Sequence, residues 1–221
     1  MQPLYGYDTM KIPKRHEAPR ALLTGDPART LNWLVKILLI AMLLLGLIFP
    51  DWPRFEGKAW PARAVAYPLA ALVVPIWWWF RQRSDKATGN YPHLVASLLV
   101  LPFVVDLAGN VANLFDTVKN FDDALHFLNW MFLTAAVVIA LAPLGLAKWN
   151  RIMLGTGFGA VAIIIWEFAE YLIAESGTSG LNLTYGDTIS DLGLSTLGGA
   201  TGAVIAVYLW ERGRQANSDL C

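Results

Sequence analysis

The sequence predicts an all-α, polytopic membrane protein with six transmembrane helices and both termini cytoplasmic. Three observations predict it. The 221 residues are 56% hydrophobic and only 15% charged, with a mean hydropathy of +0.45, whereas soluble domains are about one-quarter charged. Six apolar runs each approach the ~20 residues that cross a bilayer core. Lysine and arginine are rich in alternate connecting segments and sparse in the others. Only helices or closed barrels satisfy every backbone polar group in lipid, and continuous apolar runs of this length are not barrel strands.

The elements follow in order. Residues 1–30 are polar and carry Pro3, Pro13, Pro19 and Pro27, which predicts a mostly irregular N-terminal cytoplasmic tail. With so long a polar stretch before the first apolar run, no signal peptide is expected. The bundle then occupies 31–210. Its first run is 31–49. The second, 65–80, is short and contains Pro68 and Pro75, so a kink or tilt is expected there. The third, 93–115, carries Asp106 and Asn110. The fourth, 123–143, opens with Asp123 and His126. The fifth, 152–174, holds Glu167 and Glu170 in its last turns. The sixth, 189–210, starts beside Asp187 and Asp191. A C-terminal cytoplasmic tail, 211–221, closes the chain.

Orientation follows from the basic residues. One side collects Lys11, Lys14, Arg15, Arg20 and Arg29, then Arg81, Arg83 and Lys86, then Lys148 and Arg151, then Arg212 and Arg214. The other side holds only Arg54, Lys58, Arg63 and Lys119, while Lys36 lies inside the first run. The rich side is expected to be cytoplasmic. Net charge is formally zero, so charge gives no reason to expect a nucleic-acid partner. The one cysteine, Cys221, excludes an intramolecular disulfide and a cysteine metal site.

With that orientation, the carboxylates of the apolar runs and His126 fall in the outer part of the membrane, and the cytoplasmic half holds almost nothing ionisable except Lys36. Such groups are costly at membrane depth, tend to face a bundle interior and mark working sites. Their spacing adds to this. Asp123 and His126 are three apart, as are Glu167 and Glu170; Asp106 and Asn110 are four apart, as are Asp187 and Asp191. Residues three or four apart share a helix face. Carboxylate and histidine pairs facing each other across a bundle are how such folds hold metals. Asp123, His126, Glu167 and Asp191 are therefore the candidate metal ligands. Glu170 and Asp187 are candidate general bases acting on water held by the metal, and Asp106 with Asn110 a supporting polar wall. Oxygen and imidazole donors suit a divalent metal such as zinc, manganese or iron, and carboxylates also accept magnesium.

Plainer readings stand beside these. Asp122 is expected to cap the fourth helix, and Asp191 could cap the sixth. Asp187 fits a solvated loop equally well, and His126 a buried structural partner of a carboxylate. Gly198 and Gly202 fit close packing between neighbouring helices of the same chain.

Asp122-Asp123-Ala-Leu-His126-Phe, then Glu167-Phe-Ala-Glu170, then Asp187-Thr-Ile-Ser-Asp191-Leu before a glycine-rich helix, resembles the YjdF-like inner-membrane family of unknown function. The stretch Asp191-Leu-Gly-Leu-Ser-Thr-Leu-Gly198 also resembles VanZ-like proteins. The resemblance covers about 100–200, and the tryptophan-rich stretch usual between the acidic pair of the first family is absent. It implies a multi-pass protein of the bacterial inner membrane, and the VanZ likeness implies a tie to the cell envelope. Three functions are compatible with the residues. The first is a metal-dependent enzyme acting on a lipid or lipid-linked envelope substrate. The second is a transporter or ion or proton pathway using the same carboxylates. The third is a non-catalytic scaffold with a structural polar network.

Overall fold

A computed structural model describes residues 25–83, 89–176 and 183–218. The described residues form six long helices: α1 Asp26–Ile48, α2 Trp60–Gln82, α3 His93–Val111, α4 Phe121–Leu141, α5 Lys148–Glu175 and α6 Tyr185–Ser218. All six are long and apolar enough to cross a membrane, which makes the chain a multi-pass membrane protein. Most of the expected N-terminal tail, 1–24, lies outside the described residues, as do 219–221 of the C-terminal one.

Local chemistry sets the helix ends. Pro27 at the first positions of α1 pre-sets the backbone, and Asp26 sits at its positive end, so α1 starts within the stretch expected to be tail. α3 stops at Val111, earlier than expected, because Asn113 takes a left-handed φ of 59°. A one-turn helix, Leu114–Thr117, follows, and Asn120, with φ 60°, opens α4. Asparagine tolerates this conformation better than most residues. Asn120 therefore occupies the cap position expected of Asp122, and no side chain caps α4 by a hydrogen bond. α6 starts four residues before the expected 189, where Asp187 N donates to Thr184 Oγ1 at 3.2 Å. Pro68, Pro75 and Pro102 are accommodated inside α2 and α3.

α3 and α4 form the middle of the bundle. α1 and α2 pack on α3, while α5 and α6 pack on α4. On the first side Val35, Leu39, Tyr67, Val100, Val104 and Leu107 build a core closed by Phe55 from the α1–α2 loop. On the second side Val138, Ala203, Ala206 and Val207 join α4 to α6. The outer faces are apolar as well: Leu34, Ile37, Leu69, Val73, Ile165 and Phe168 are all exposed. A surface this apolar suits lipid as its solvent.

Glycine sets the closest contact. A Cβ on Gly198 or Gly202 would collide with the backbone carbonyls of Phe127 and Met131 respectively, so α6 lies directly on α4 along two successive turns. Thr134, fully buried, fits against Gly159 and Gly199 where α4, α5 and α6 meet. Small residues allow backbone approach of this kind in membranes.

α2 is held differently. Only 11% of its most apolar window is buried. Near its start Arg63 Nε lies 3.0 Å from Asp106 Oδ2 on α3, and Tyr67 Oη donates to the same oxygen at 2.7 Å. At the opposite end of the bundle, Arg151 is buried and pairs with Glu211 at 2.6 Å, joining α5 to α6.

Two stability outcomes follow. Gly198→Ala and Gly202→Ala should each lower unfolding stability in detergent micelles by about 1–3 kcal/mol, the usual scale of core overpacking. Gly193→Ala, whose Cβ would meet nothing within 4 Å, should be neutral; equal loss in all three would exclude the close contact as the cause. Asp106→Leu should destabilise by about 1–3 kcal/mol, below the full scale for a broken buried pair because both side chains keep some exposure. Adding Arg63→Leu should recover part of that loss in the same unfolding measurement.

Candidate functional site

All the sequence-derived candidates lie at one end of the bundle, near the C-terminal ends of α3 and α5 and the N-terminal ends of α4 and α6. At 1.5 Å rise per residue they sit roughly 1.5–12 Å below their helix ends. A cavity of 370 Å³ opens there between the helices. His126, Asp191, Glu170, Asp187, Asp106 and Asn110 line it, and so does Asp122.

Its densest cluster comes from α4 and α6. Asp122 and His126 are four apart on α4, and Asp191 faces them from α6; one ligand atom from each falls within 4.8 Å of the others. His126 Nε2 stands 3.6 Å from Asp191 Oδ1, too far for a hydrogen bond. The other ring nitrogen, Nδ1, lies 3.1 Å from Ser195 Oγ. With Nδ1 protonated and donating to that hydroxyl, Nε2 keeps its lone pair on the side of Asp191. Metal-binding histidines are commonly oriented in this way by a partner on the second nitrogen. Ligands tetrahedrally bonded ~2.0–2.2 Å from one ion stand about 3.3–3.6 Å apart, so the His126–Asp191 pair already has that spacing and the rest of the trio would close by up to about an ångström to hold zinc or a similar divalent ion.

Asp123 and Glu167, both expected among the ligands, lie outside this trio. Asp123 Oδ1 accepts from Ser190 Oγ at 3.2 Å, a second tie between α4 and α6. Glu167 is buried, at 9% exposure, and lines a separate 450 Å³ groove between α5 and α6 beside Phe168, Tyr171 and Thr188. Its Oε1 has no hydrogen-bond partner among the described residues. Glu170, one turn further along α5, is the one that faces the cavity, and Trp166 Nε1 donates to its Oε1 at 2.8 Å.

Asp106 and Asn110 form part of the wall. Asn110 Nδ2 donates to the main-chain oxygen of Asp106 rather than to its carboxylate, which is taken by Arg63 and Tyr67. Lys58 pairs with Asp116 at 2.9 Å on the same cavity. Arg63, Tyr67, Lys58, Trp166 and Ser195 were not among the sequence candidates. Ser195 had a readable signal, because it continues the four-residue stripe Asp187, Asp191, Ser195 along one face of α6. Arg63 had one only once α2 is known to start at Trp60, which turns Arg63 and Tyr67 into neighbours on one helix face.

Chemically, the cavity joins three potential metal ligands, two cation–carboxylate pairs, and further carboxylates that no ion pair among the described residues engages. Such a set can bind a divalent cation and hold a polar headgroup next to it. No family model matches the chain, and neither a curated protein nor a solved structure is significantly similar to it.

Proposed function

We propose that this is a metal-dependent membrane enzyme whose substrate is a lipid or a lipid-linked envelope molecule. The observation that carries the reading is the convergence of Asp122, His126 and Asp191 on the wall of a cavity at one end of the helix bundle. The trio would hold a divalent metal such as zinc, manganese, iron or magnesium. Bound there, the ion would supply Lewis-acid polarisation of a substrate oxygen. Asp187 lies one turn before Asp191 on α6 and is exposed to the cavity, so its carboxylate is placed to take a proton from an attacking water. Hydrolysis is the reaction this arrangement would serve. Ser195 would keep the His126 ring in register, and Arg63, held by Asp106, would present a fixed positive charge. The asymmetry of lysine and arginine supports placing the cavity at the outer face of the membrane, with both termini cytoplasmic, and the resemblance to the YjdF-like family implies that this membrane is a bacterial inner one.

Purified protein should carry close to one divalent metal per chain by elemental analysis. His126→Ala, Asp191→Ala and Asp122→Ala should each lose most of it, while Glu167→Ala and Asp123→Ala should retain it. Metal-free wild-type protein, even after incubation with zinc or manganese, would sink the reading. Chelation should lower the melting temperature of the wild type but leave Asp191→Ala unmoved. A ligand at a hundred times its dissociation constant contributes ~2.7 kcal/mol to the folded state, so the difference is measurable.

A further inference from the structure

Charge inside the cavity does not balance once the metal trio is assigned. Asp106 is matched by Arg63 and Asp116 by Lys58. A divalent ion would match Asp122 and Asp191. Asp187 is exposed at the start of α6, where water and the helix N-terminus support its charge. Glu170 is left. It is half-buried, its Oε1 is fixed by Trp166, and no ion pair among the described residues reaches it. Buried charges are normally paired.

A second, independent shortage is of donors. Asn110 is 1% exposed and lines the cavity, yet its Oδ1 has no hydrogen-bond partner among the described residues. Its Nδ2 donates to a main-chain oxygen, which fixes which side-chain atom is the acceptor. Buried polar atoms without partners are uncommon and call for an explanation. The wall also carries the aromatic residues Tyr67, Phe103, Phe115, Trp130 and Trp166, beside aliphatic Leu125 and Leu133.

One group meets all three conditions. A primary ammonium carries one positive charge, offers three donors and no acceptor, and is attracted to aromatic faces. We propose that the cavity contains an ammonium subsite built around Glu170, Asn110 and the aromatic wall, and that the ligand it takes is an amine-bearing lipid headgroup. The inference rests on the reading of this cavity as a lipid-substrate site and names the substrate class. Glu170 is then a binding residue, distinct from the proton acceptor Asp187. A quaternary ammonium would satisfy the charge but supply no donor to Asn110, so primary amines are favoured over trimethylated ones.

The test is lipid retention measured by native mass spectrometry on detergent-purified protein, with metal content determined on the same samples. Phosphatidylethanolamine should be retained over phosphatidylglycerol, and over N-acetylated phosphatidylethanolamine, by roughly tenfold to a hundredfold, the scale of a charge-assisted hydrogen bond. Glu170→Gln should lose this preference and keep its metal. Displacement of bound lipid by millimolar ethanolamine would support a subsite open to the free amine; retention against ethanolamine would support recognition of the intact lipid. Equal retention of phosphatidylethanolamine and its N-acetylated form by the wild type would overturn the proposal whatever Glu170→Gln does. Preference without bound metal would remove the metal reading and leave the ammonium subsite standing; bound metal without preference would remove the subsite alone.

Discussion

The close approach of α4 and α6 is the contact on which the candidate site depends. Gly198 and Gly202 lie on the backbone carbonyls of Phe127 and Met131. Those carbonyls belong to the two successive turns that follow His126. A side chain at either glycine would push the helices apart just below the trio. Ser195 and Asp191 sit one and two turns above Gly198 on α6, and His126 and Asp122 hold the matching levels of α4. The glycines therefore fix both separation and register. Asp123–Ser190 reinforces the register from the top. Where two helices supply the ligands of one ion, an error of an ångström in either quantity is enough to spoil the geometry.

Lipid explains why the polar groups are distributed as they are. Apolar contact with a neighbouring helix gains little over contact with lipid tails, so helix association leans on packing and hydrogen bonds. Three arrangements follow here. α4 and α6 use small residues. α2, mostly exposed on its apolar faces, uses Arg63, Tyr67 and Asp106. α5 and α6 use Arg151 and Glu211 at the opposite end. These pairs have structural work to do, and the Arg63–Asp106 pair also lines the cavity. Asp122, His126 and Asp191 differ from them. They lie close together without a hydrogen bond among them, an arrangement that a fourth participant would complete.

The six helices were legible because a transmembrane run is a composition signal about twenty residues long, and no local exception masks it. Their ends were less legible. α1 and α6 extend past their apolar runs on polar residues, and α3 stops short at Asn113 because one asparagine turns left-handed. Those shifts mattered for the site. Reading α2 from 65 left Arg63 in a loop, whereas the helix starts at Trp60 and brings Arg63 over Asp106.

The site was legible as a neighbourhood and not as a ligand set. Spacing of three and spacing of four both place residues on one helix face, so Asp123–His126 and Asp122–His126 were equally admissible from sequence. The choice between them belongs to the rotation of α4 against α6, a long-range quantity set by Gly198 and Gly202. Glu167 and Glu170 pose the same ambiguity on α5. There the helix is turned so that Glu170 faces the cavity and Glu167 the α5–α6 groove. Depth in the membrane made Glu167 the more conspicuous residue in the sequence, but depth specifies only the cost of a carboxylate. Its direction is decided by the neighbouring helix, and it is direction that separates the residue of the cavity from the residue beside it.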